Sequence, residues 1–321
     1  MNMKVLVTGA KGQLGSDLIN ELARRKIHHK GTDLEDFDIT DSSAAFKAVR
    51  EYQPDVVIHS AAYTAVDKAE EEMSLCRLVN EVGTHNIALA CKEVRAKMLY
   101  ISTDYVFPGE GEHWYKPNDN TGPKCHYGST KLAGEQAVLN TLAESFIVRI
   151  SWVFGANGNN FVKTMIKLGE KHGKDNGPGK NNTGKNNTGK SNTGKSNTGK
   201  SNTGKSNTGK NNTGINVVKD QIGSPTYTAD LAPLLCDMAA TNRYGIYHAT
   251  NEGVCSWSDF ATEIFRQAGL DIRVNPIPTT EYPTKAVRPY NSRLDKSCLD
   301  KVGFVRLPHW KDALSRFLEL V

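Results

Sequence analysis

The sequence contains no long hydrophobic run and no cysteine pattern that indicates cross-links or metal binding. Its six cysteines include no C-x-x-C pair, and its nine histidines are scattered without ligand spacing. These features favour reduced thiols in the cytoplasm over a disulfide framework or a zinc site. The short apolar run near the first residue leads directly into glycines, so we expect neither a signal peptide nor a membrane span.

A large excess of charge of one sign is also lacking outside one segment. The chain has 40 basic and 35 acidic residues and a formal net charge of +5. Residues 175–214 contain seven lysines and one aspartate, so the other 33 basic and 34 acidic residues nearly cancel. A nearly neutral body does not favour nucleic acid as a partner.

The basic segment is repetitive and almost without apolar side chains. The unit (N/S)NTGK occurs six times between Asn181 and Lys210, and residues 189–196 (GKSNTGKS) match the P-loop pattern G-x-x-x-x-G-K-S. A P-loop needs a buried strand before its glycines and a helix that begins at its lysine. Pro178 is the only apolar residue between the ends of this segment. We therefore expect a flexible low-complexity insertion over residues 175–214 and no P-loop.

The rest of the chain alternates between strand-like and helix-like patterns. The run KVLVT at residues 4–8 is followed by helical spacing of apolar residues over 14–24, and this alternation continues to residue 151. It predicts an α/β fold in which residues 1–151 form a dinucleotide-binding domain with a Rossmann-type, doubly wound parallel sheet. Residues 152–321 are predicted to form a smaller, mainly substrate-binding C-terminal portion, with some elements returning to that sheet.

Three glycines follow the first predicted strand with the spacing G-x-x-G-x-x-G. Gly9 permits a sharp turn, Gly12 lets a diphosphate approach the backbone, and Gly15 lets helix and strand pack closely. Asp33, at the end of the second strand, would accept hydrogen bonds from a ribose and repel a 2′-phosphate, which favours NADH slightly over NADPH; an exposed loop carboxylate is the alternative. The predicted cofactor-binding residues are Gly9, Lys11, Gly12, Gln13, Leu14, Gly15, Asp33, Asp38, Ile39, Ala61, Ala62, Thr64 and Lys131.

The predicted catalytic group is a Y-x-x-x-K motif. Tyr127 and Lys131 would share one face of a helix, where the ammonium group would lower the pKa of the phenol. Tyr127 could then protonate a carbonyl oxygen as hydride reaches the carbon. Residues 101–104 (ISTD), at the end of an earlier strand, supply a hydroxyl that would polarise the same carbonyl.

Six segments spread along the chain resemble those of the dTDP-4-dehydrorhamnose reductases, a family of extended short-chain dehydrogenases. They are VTGAKGQLG, AAYTAVDKAE, STDYVFPGEG, YGSTKLAGE, SWVFG followed by GNNFVKTM, and DQIGSPT. The resemblance covers nearly the whole chain apart from the repeat. It implies reduction of the 4-keto group of dTDP-4-dehydro-L-rhamnose to give dTDP-L-rhamnose, with NADH or NADPH as cofactor.

The resemblance also implies roles for individual residues. Thr103 joins Tyr127 and Lys131 in the implied catalytic set, and the implied sugar contacts are Val66, Asp104, Tyr105 and Trp152. Arg288 could bind the nucleotide diphosphate as a bidentate donor; a solvated surface arginine is the alternative.

A possible homodimer is a further implication of the family. Some members are thought to dimerise through a divalent ion held partly by acidic side chains of the region that is here an acid-free repeat. A metal-linked dimer is therefore doubtful for this chain, and no metal ligand is predicted.

Two other functions fit the same sequence features. One is a different nucleotide-sugar enzyme of this fold, such as an epimerase or a dehydratase. The other is a non-catalytic subunit that resembles the regulatory beta subunit of methionine adenosyltransferase.

Overall fold

A computed structural model describes residues 3–175 and 214–321. The P-loop-like repeat and nearly all of the insertion predicted over residues 175–214 lie outside the described residues. The two ends of that prediction differ from the structure, because Asp175 is the last residue of a helix and Gly214 is the first residue of a strand. None of the helices that the structure describes is long and apolar enough to span a bilayer.

The strands form one large sheet and three small ones. The large sheet has six strands, all parallel, in the order β10-β5-β4-β3-β1-β2. The small sheets are β11-β8-β13, β12-β7 and β6-β9. The strands are β1 (Lys4–Thr8), β2 (His28–Thr32), β3 (Val56–His59), β4 (Lys97–Thr103), β5 (Ser145–Ile150), β6 (Val153–Phe154), β7 (Gly214–Val218), β8 (Ile222–Gly223), β9 (Thr226–Tyr227), β10 (Gly245–His248), β11 (Cys255–Ser256), β12 (Arg273–Ile277) and β13 (Asn291–Ser292).

In the part of the chain that the structure describes, ten α-helices connect or follow these strands. A π-helical segment, Leu78–Gly83, joins α3 to α4, and three short 3₁₀ turns occupy Lys68–Glu70, Asp104–Val106 and Thr279–Glu281. The α-helices are α1 (Gln13–Arg24), α2 (Ser42–Tyr52), α3 (Met73–Arg77), α4 (Thr84–Val94), α5 (His126–Thr141), α6 (Phe161–Asp175), α7 (Thr228–Ala239), α8 (Trp257–Gln267), α9 (Ser297–Lys301) and α10 (Trp310–Leu318).

Helices cover both faces of the large sheet, which confirms the predicted doubly wound fold. Successive side chains of a strand point to opposite faces, so Val5 and Val7 of β1 pack with α1 and α7. Leu6, between them, packs on the other face with residues of α2, α4 and α5. A strand that is buried on both faces carries consecutive apolar residues, which explains the run of Val5, Leu6 and Val7 in β1.

The residues after β5 build a second apolar cluster around α6, α8 and α10, and β10 joins the large sheet beside β5. Phe154, Phe260 and Phe317 are fully buried in this cluster. Helix α8 begins with a capping box, in which Ser256 and Asp259 satisfy each other's backbone N–H groups.

The order of the large sheet determines where a ligand can bind. The chain moves from β1 to β2 on one side and then returns to add β3 on the other side of β1. The loops that follow β1 and β3 therefore diverge, and they leave a crevice at the carboxyl ends of the strands.

Candidate active site

A cavity of about 720 Å³ lies in this crevice, at the carboxyl ends of β1 to β5. Its lining includes every residue that the sequence predicts to bind cofactor, act in catalysis or contact the sugar, except Arg288. These lining residues are Gly9, Lys11, Gly12, Gln13, Leu14, Gly15, Asp33, Asp38, Ile39, Ala61, Ala62, Thr64, Val66, Thr103, Asp104, Tyr105, Tyr127, Lys131 and Trp152. The structure brings them together, and their individual roles stay predictions.

The glycine loop forms one end of the cavity, and its shape depends on missing side chains. Gly9 has φ +70°, and a Cβ there would lie 2.7 Å from the backbone nitrogen of Ala61. A Cβ at Gly15 would lie 2.0 Å from the carbonyl oxygen of Gly9. The loop thus presents bare backbone to the N-terminus of α1. In the described structure no side chain caps the N-terminus of α1, and no acidic residue lies in its first turn. The arrangement therefore suits a diphosphate.

The end of the cavity beside β2 carries the acidic group predicted to meet a ribose. Asp33 is half-buried, and its carboxylate accepts hydrogen bonds from the backbone N–H groups of Lys11 and Leu34, at 3.0 and 2.9 Å. The Lys11 ammonium forms an exposed ion pair with Glu35. A carboxylate fixed by two backbone donors keeps its position and has lone pairs left for a ribose hydroxyl.

Asp38 and Ile39 line the cavity in different ways. Asp38 is exposed, and its carboxylate accepts two hydrogen bonds, both 2.8 Å, from the backbone and the hydroxyl of Thr40. Ile39 is buried against Gly83, where a Cβ would lie 2.7 Å from its side chain. Asp38 therefore stabilises its own turn, and Ile39 supplies apolar surface.

Tyr127 and Lys131 lie on the buried side of α5. The Tyr127 ring packs edge-on against Tyr105, with 5.5 Å between ring centroids. The Lys131 ammonium donates to the carbonyl oxygen of Ile101 at 2.7 Å and lies 4.0 Å from the centroid of the Tyr100 ring. Helix α5 thus carries both side chains of the motif to the cavity wall.

Burial determines the direction of the pKa shifts of Tyr127 and Lys131, and the expected lowering of the Tyr127 pKa by Lys131 stays a prediction. Burial raises the pKa of the Tyr127 phenol, and a hydrogen bond with Thr103 only partly opposes this. Burial also lowers the pKa of Lys131 to about 7, against the opposing charge of Glu135. Desolvation is the largest cause of both shifts, because both groups are removed from water. Tyr127 therefore holds its proton at neutral pH.

Thr103, the last residue of β4, belongs to a short hydrogen-bond chain that sequence reasoning only partly identified. Its hydroxyl donates to Asp104 at 3.0 Å, and Ser292 of β13 donates to the other Asp104 oxygen at 2.5 Å. Burial raises the pKa of Asp104 to about 6, although hydrogen bonds from Ser292 and Thr103 lower it. Ser292 lies 188 residues away in the sequence, and no motif marks it.

A buried ion pair behind the motif was also missed. Glu135, one turn after Lys131, accepts two hydrogen bonds from Arg149 of β5, at 2.7 and 2.9 Å. Ser102 of β4 donates to the same carboxylate at 2.5 Å. The pair ties α5 to two strands of the sheet. The arginine inside the apolar run FIVRI was the available signal, because a buried strand carries a charge only when a partner satisfies it.

Arg288 lies beside the cavity but does not line it. Its guanidinium donates to Asp67 at 2.7 Å and to the Tyr105 hydroxyl at 3.0 Å. The alternative of a solvated surface arginine is wrong, since both terminal nitrogens have partners and the side chain is only 23% exposed. These two hydrogen bonds use two of the five N–H donors of the guanidinium, so donors remain for a diphosphate.

Comparisons with known proteins agree with this geometry. A family model described as the RmlD substrate binding domain matches residues 3–175 and 202–321, and a model of pentapeptide repeats matches residues 178–218. A dTDP-4-dehydrorhamnose reductase from Streptomyces griseus is 40% identical over 317 residues, covering 97% of this chain and 91% of that protein. The spore coat polysaccharide biosynthesis protein SpsK of Bacillus subtilis is 36% identical over 316 residues, covering 98% and 97%.

Solved structures give the same result. The crystal structure of a dTDP-4-dehydrorhamnose reductase from Bacillus anthracis, in complex with NADP, matches with a TM-score of 0.85 and 38% identity over 100% of both chains. The sequence similarity therefore extends over at least 91% of these two relatives, and the fold is shared over the whole B. anthracis chain. This chain belongs to the RmlD family, the family of the dTDP-4-dehydrorhamnose reductases.

Proposed function

We propose that this chain reduces the 4-keto group of dTDP-4-dehydro-L-rhamnose to give dTDP-L-rhamnose, with NADH or NADPH as cofactor. The observation that carries the proposal is the convergence of Tyr127, Lys131 and Thr103 on a cavity whose other end is the glycine loop. Relatives that bear this activity in their names are similar to the chain over nearly its whole length.

The glycine loop and the start of α1 would hold the diphosphate of the cofactor, and Asp33 would bind the adenosine ribose. The bound cofactor supplies a hydride to the carbonyl carbon of the sugar. Val66, Asp104, Tyr105 and Trp152 would contact the sugar, since all four line the same cavity as Tyr127.

Tyr127 acts as the general acid in this proposal. Because burial raises its pKa, it is protonated at neutral pH and can donate its phenolic proton to the carbonyl oxygen. Lys131, with a pKa of about 7, is partly charged at that pH, and its charge stabilises the phenolate left behind. Thr103 polarises the carbonyl once its hydroxyl turns from Asp104 to the substrate.

A Tyr127→Phe variant tests the proposal. In a coupled assay with the 4-keto nucleotide sugar, wild-type protein should consume stoichiometric NADH or NADPH, whereas an epimerase or dehydratase would not. The variant should lose about 10²- to 10⁴-fold in kcat and keep its affinity for cofactor. Tyr282→Phe, at an exposed position, is the matched control. Full activity of Tyr127→Phe would eliminate the acid role, and a lack of turnover by wild type would eliminate the proposed reaction.

A slight preference for NADH over NADPH is a finer part of the proposal. It is supported by the fixed carboxylate of Asp33, which would repel a 2′-phosphate. The B. anthracis relative in complex with NADP shows that family members bind the phosphorylated form. Asp33→Asn should raise the ratio of kcat/KM for NADPH over NADH; an unchanged ratio would show that Asp33 does not face the ribose.

The resemblance also leads us to propose a homodimer, and a divalent ion at its interface is doubtful because the region that holds the ion in some members is here an acid-free repeat. Light scattering with and without a chelator tests this, and a dimer that dissociates on chelation would contradict it.

A further inference from the structure

Trp152 has a strained backbone on the sugar side of the cavity. Its φ is +50°, a region that bulky L-residues rarely adopt and that costs free energy. Neighbouring hydrogen bonds hold the backbone there. The Thr226 N–H donates to the Trp152 carbonyl oxygen at 3.2 Å, and the Thr226 hydroxyl donates to the Ser151 carbonyl oxygen at 2.6 Å. The chain thus maintains a costly conformation at a position that lines the cavity.

The indole ring of Trp152 is stacked on Trp257, the first residue of α8. The ring centroids are 3.8 Å apart and the ring planes differ by 15°. Phe161 packs behind Trp257, with 4.6 Å between ring centroids. Gly223 leaves room for the ring as well, since a Cβ there would lie 3.0 Å from two Trp152 ring atoms. The orientation of the indole is therefore fixed by side-chain packing from α8 as well as by its backbone.

We propose that Trp257 is a positioning residue for the sugar site, acting by holding the Trp152 indole in place as a wall against the hexose ring. The proposal rests on the proposed function. Trp257 does not itself line the cavity, and its ring contacts among the described residues are with Trp152, Phe161 and Phe260. Its influence on a substrate must therefore pass through Trp152.

The indole surface of Trp152 indicates which part of the substrate it would contact. A flat indole surface suits the C–H face of a hexose, and a methyl group in place of a sugar hydroxyl would extend that apolar face. Tyr127 and the glycine loop are separate from the stack. Loss of Trp257 should therefore weaken binding of the sugar and leave cofactor binding and proton transfer nearly unchanged.

Three variants test this positioning role in the full-length enzyme with NADPH. Trp257→Leu should raise KM for the nucleotide sugar about 3- to 10-fold, the range expected for a lost aromatic pair, with kcat within about twofold of wild type. Trp257→Phe retains a smaller stacking ring and should reverse only part of the rise in KM. Trp310→Phe is the matched control, because Trp310 is buried in the same apolar cluster but packs on Phe260.

Near-ultraviolet circular dichroism supplies a readout that does not depend on turnover. Stacked indoles give a coupled signal, which Trp257→Phe and Trp152→Phe should each remove and Trp310→Phe should retain. The effects of the Trp152→Phe and Trp257→Phe changes on KM should be non-additive in the double variant, because one side chain acts through the other.

The outcomes separate the two proposals. Absence of turnover by wild type contradicts the proposed function. Active wild type with an unchanged KM in Trp257→Leu overturns the positioning role, as would a KM effect equal to that of Trp310→Phe. If Trp257→Leu does not fold, Trp257→Phe decides: additive effects with Trp152→Phe would overturn the role, and non-additive effects would support it.

Discussion

Gly12 and Gly15 of the glycine loop are predicted to have different functions, which substitution of each by alanine should separate. Gly15 serves packing: a Cβ there would lie 2.0 Å from the Gly9 carbonyl oxygen and 2.7 Å from Cα of Ala10. The first distance is about 1.4 Å shorter than ordinary contact at 3.4 Å. Both neighbours are backbone, so α1 must move away from the loop. We expect Gly15→Ala to destabilise the protein by about 1–3 kcal/mol or more, as overpacking does in a close-packed interior.

Gly12 is different because a methyl group there would make one close contact, which a shift of a few tenths of an ångström relieves. A Cβ there would meet only the Gly9 carbonyl oxygen, at 3.2 Å, and its φ of −71° suits alanine. Gly12→Ala should therefore change stability by no more than about 0.5 kcal/mol. The new methyl group would instead occupy space that a diphosphate needs, so cofactor affinity should fall about tenfold or more, which is about 1.4 kcal/mol.

Two measurements on the same three proteins check this pair of predictions. Thermal unfolding without cofactor should separate Gly15→Ala from wild type and from Gly12→Ala. Titration with NADPH should show weaker binding for Gly12→Ala. If Gly12→Ala binds NADPH like wild type, the diphosphate does not rest on this loop. If Gly15→Ala unfolds at the wild-type temperature, the close packing of α1 has been misjudged.

Two further predictions concern buried charges. Burial in the folded protein raises the pKa of Asp104 from 3.8 to about 6, so the folded protein binds a proton more tightly than the unfolded chain, and its stability should fall as pH rises through that window. In Asp104→Asn this fall should be smaller by about 1 kcal/mol per pH unit. Parallel curves of stability against pH for wild type and variant would contradict this prediction. Arg149→Leu leaves the Glu135 carboxylate buried without its guanidinium partner, so urea unfolding should show a free energy of unfolding lower by about 3–5 kcal/mol. The double change with Glu135→Leu should recover part of this loss. A loss below about 1 kcal/mol in the single variant would contradict the prediction.

Local patterns were sufficient for most elements of the fold. The strand predicted at residues 4–8 agrees with β1, and the helix predicted at 14–24 begins one residue earlier, at Gln13. Such features depend on spacing and on neighbouring residues. The two-residue strands, including β8 and β13, were not predicted, because their pairing is set by distant parts of the chain.

The sequence by itself determined the doubly wound α/β architecture, the glycine loop, the Y-x-x-x-K motif and the family, since each is written in short spacings that follow local chain geometry. The tertiary structure determined the burial, the pKa shifts and the contacts of those residues. Burial raises the pKa of Tyr127, an effect that its spacing to Lys131 does not show, because desolvation depends on everything packed around a group. It likewise decided that Ser292 reaches Asp104 and that Trp257 stacks on Trp152, contacts between residues that no local pattern joins.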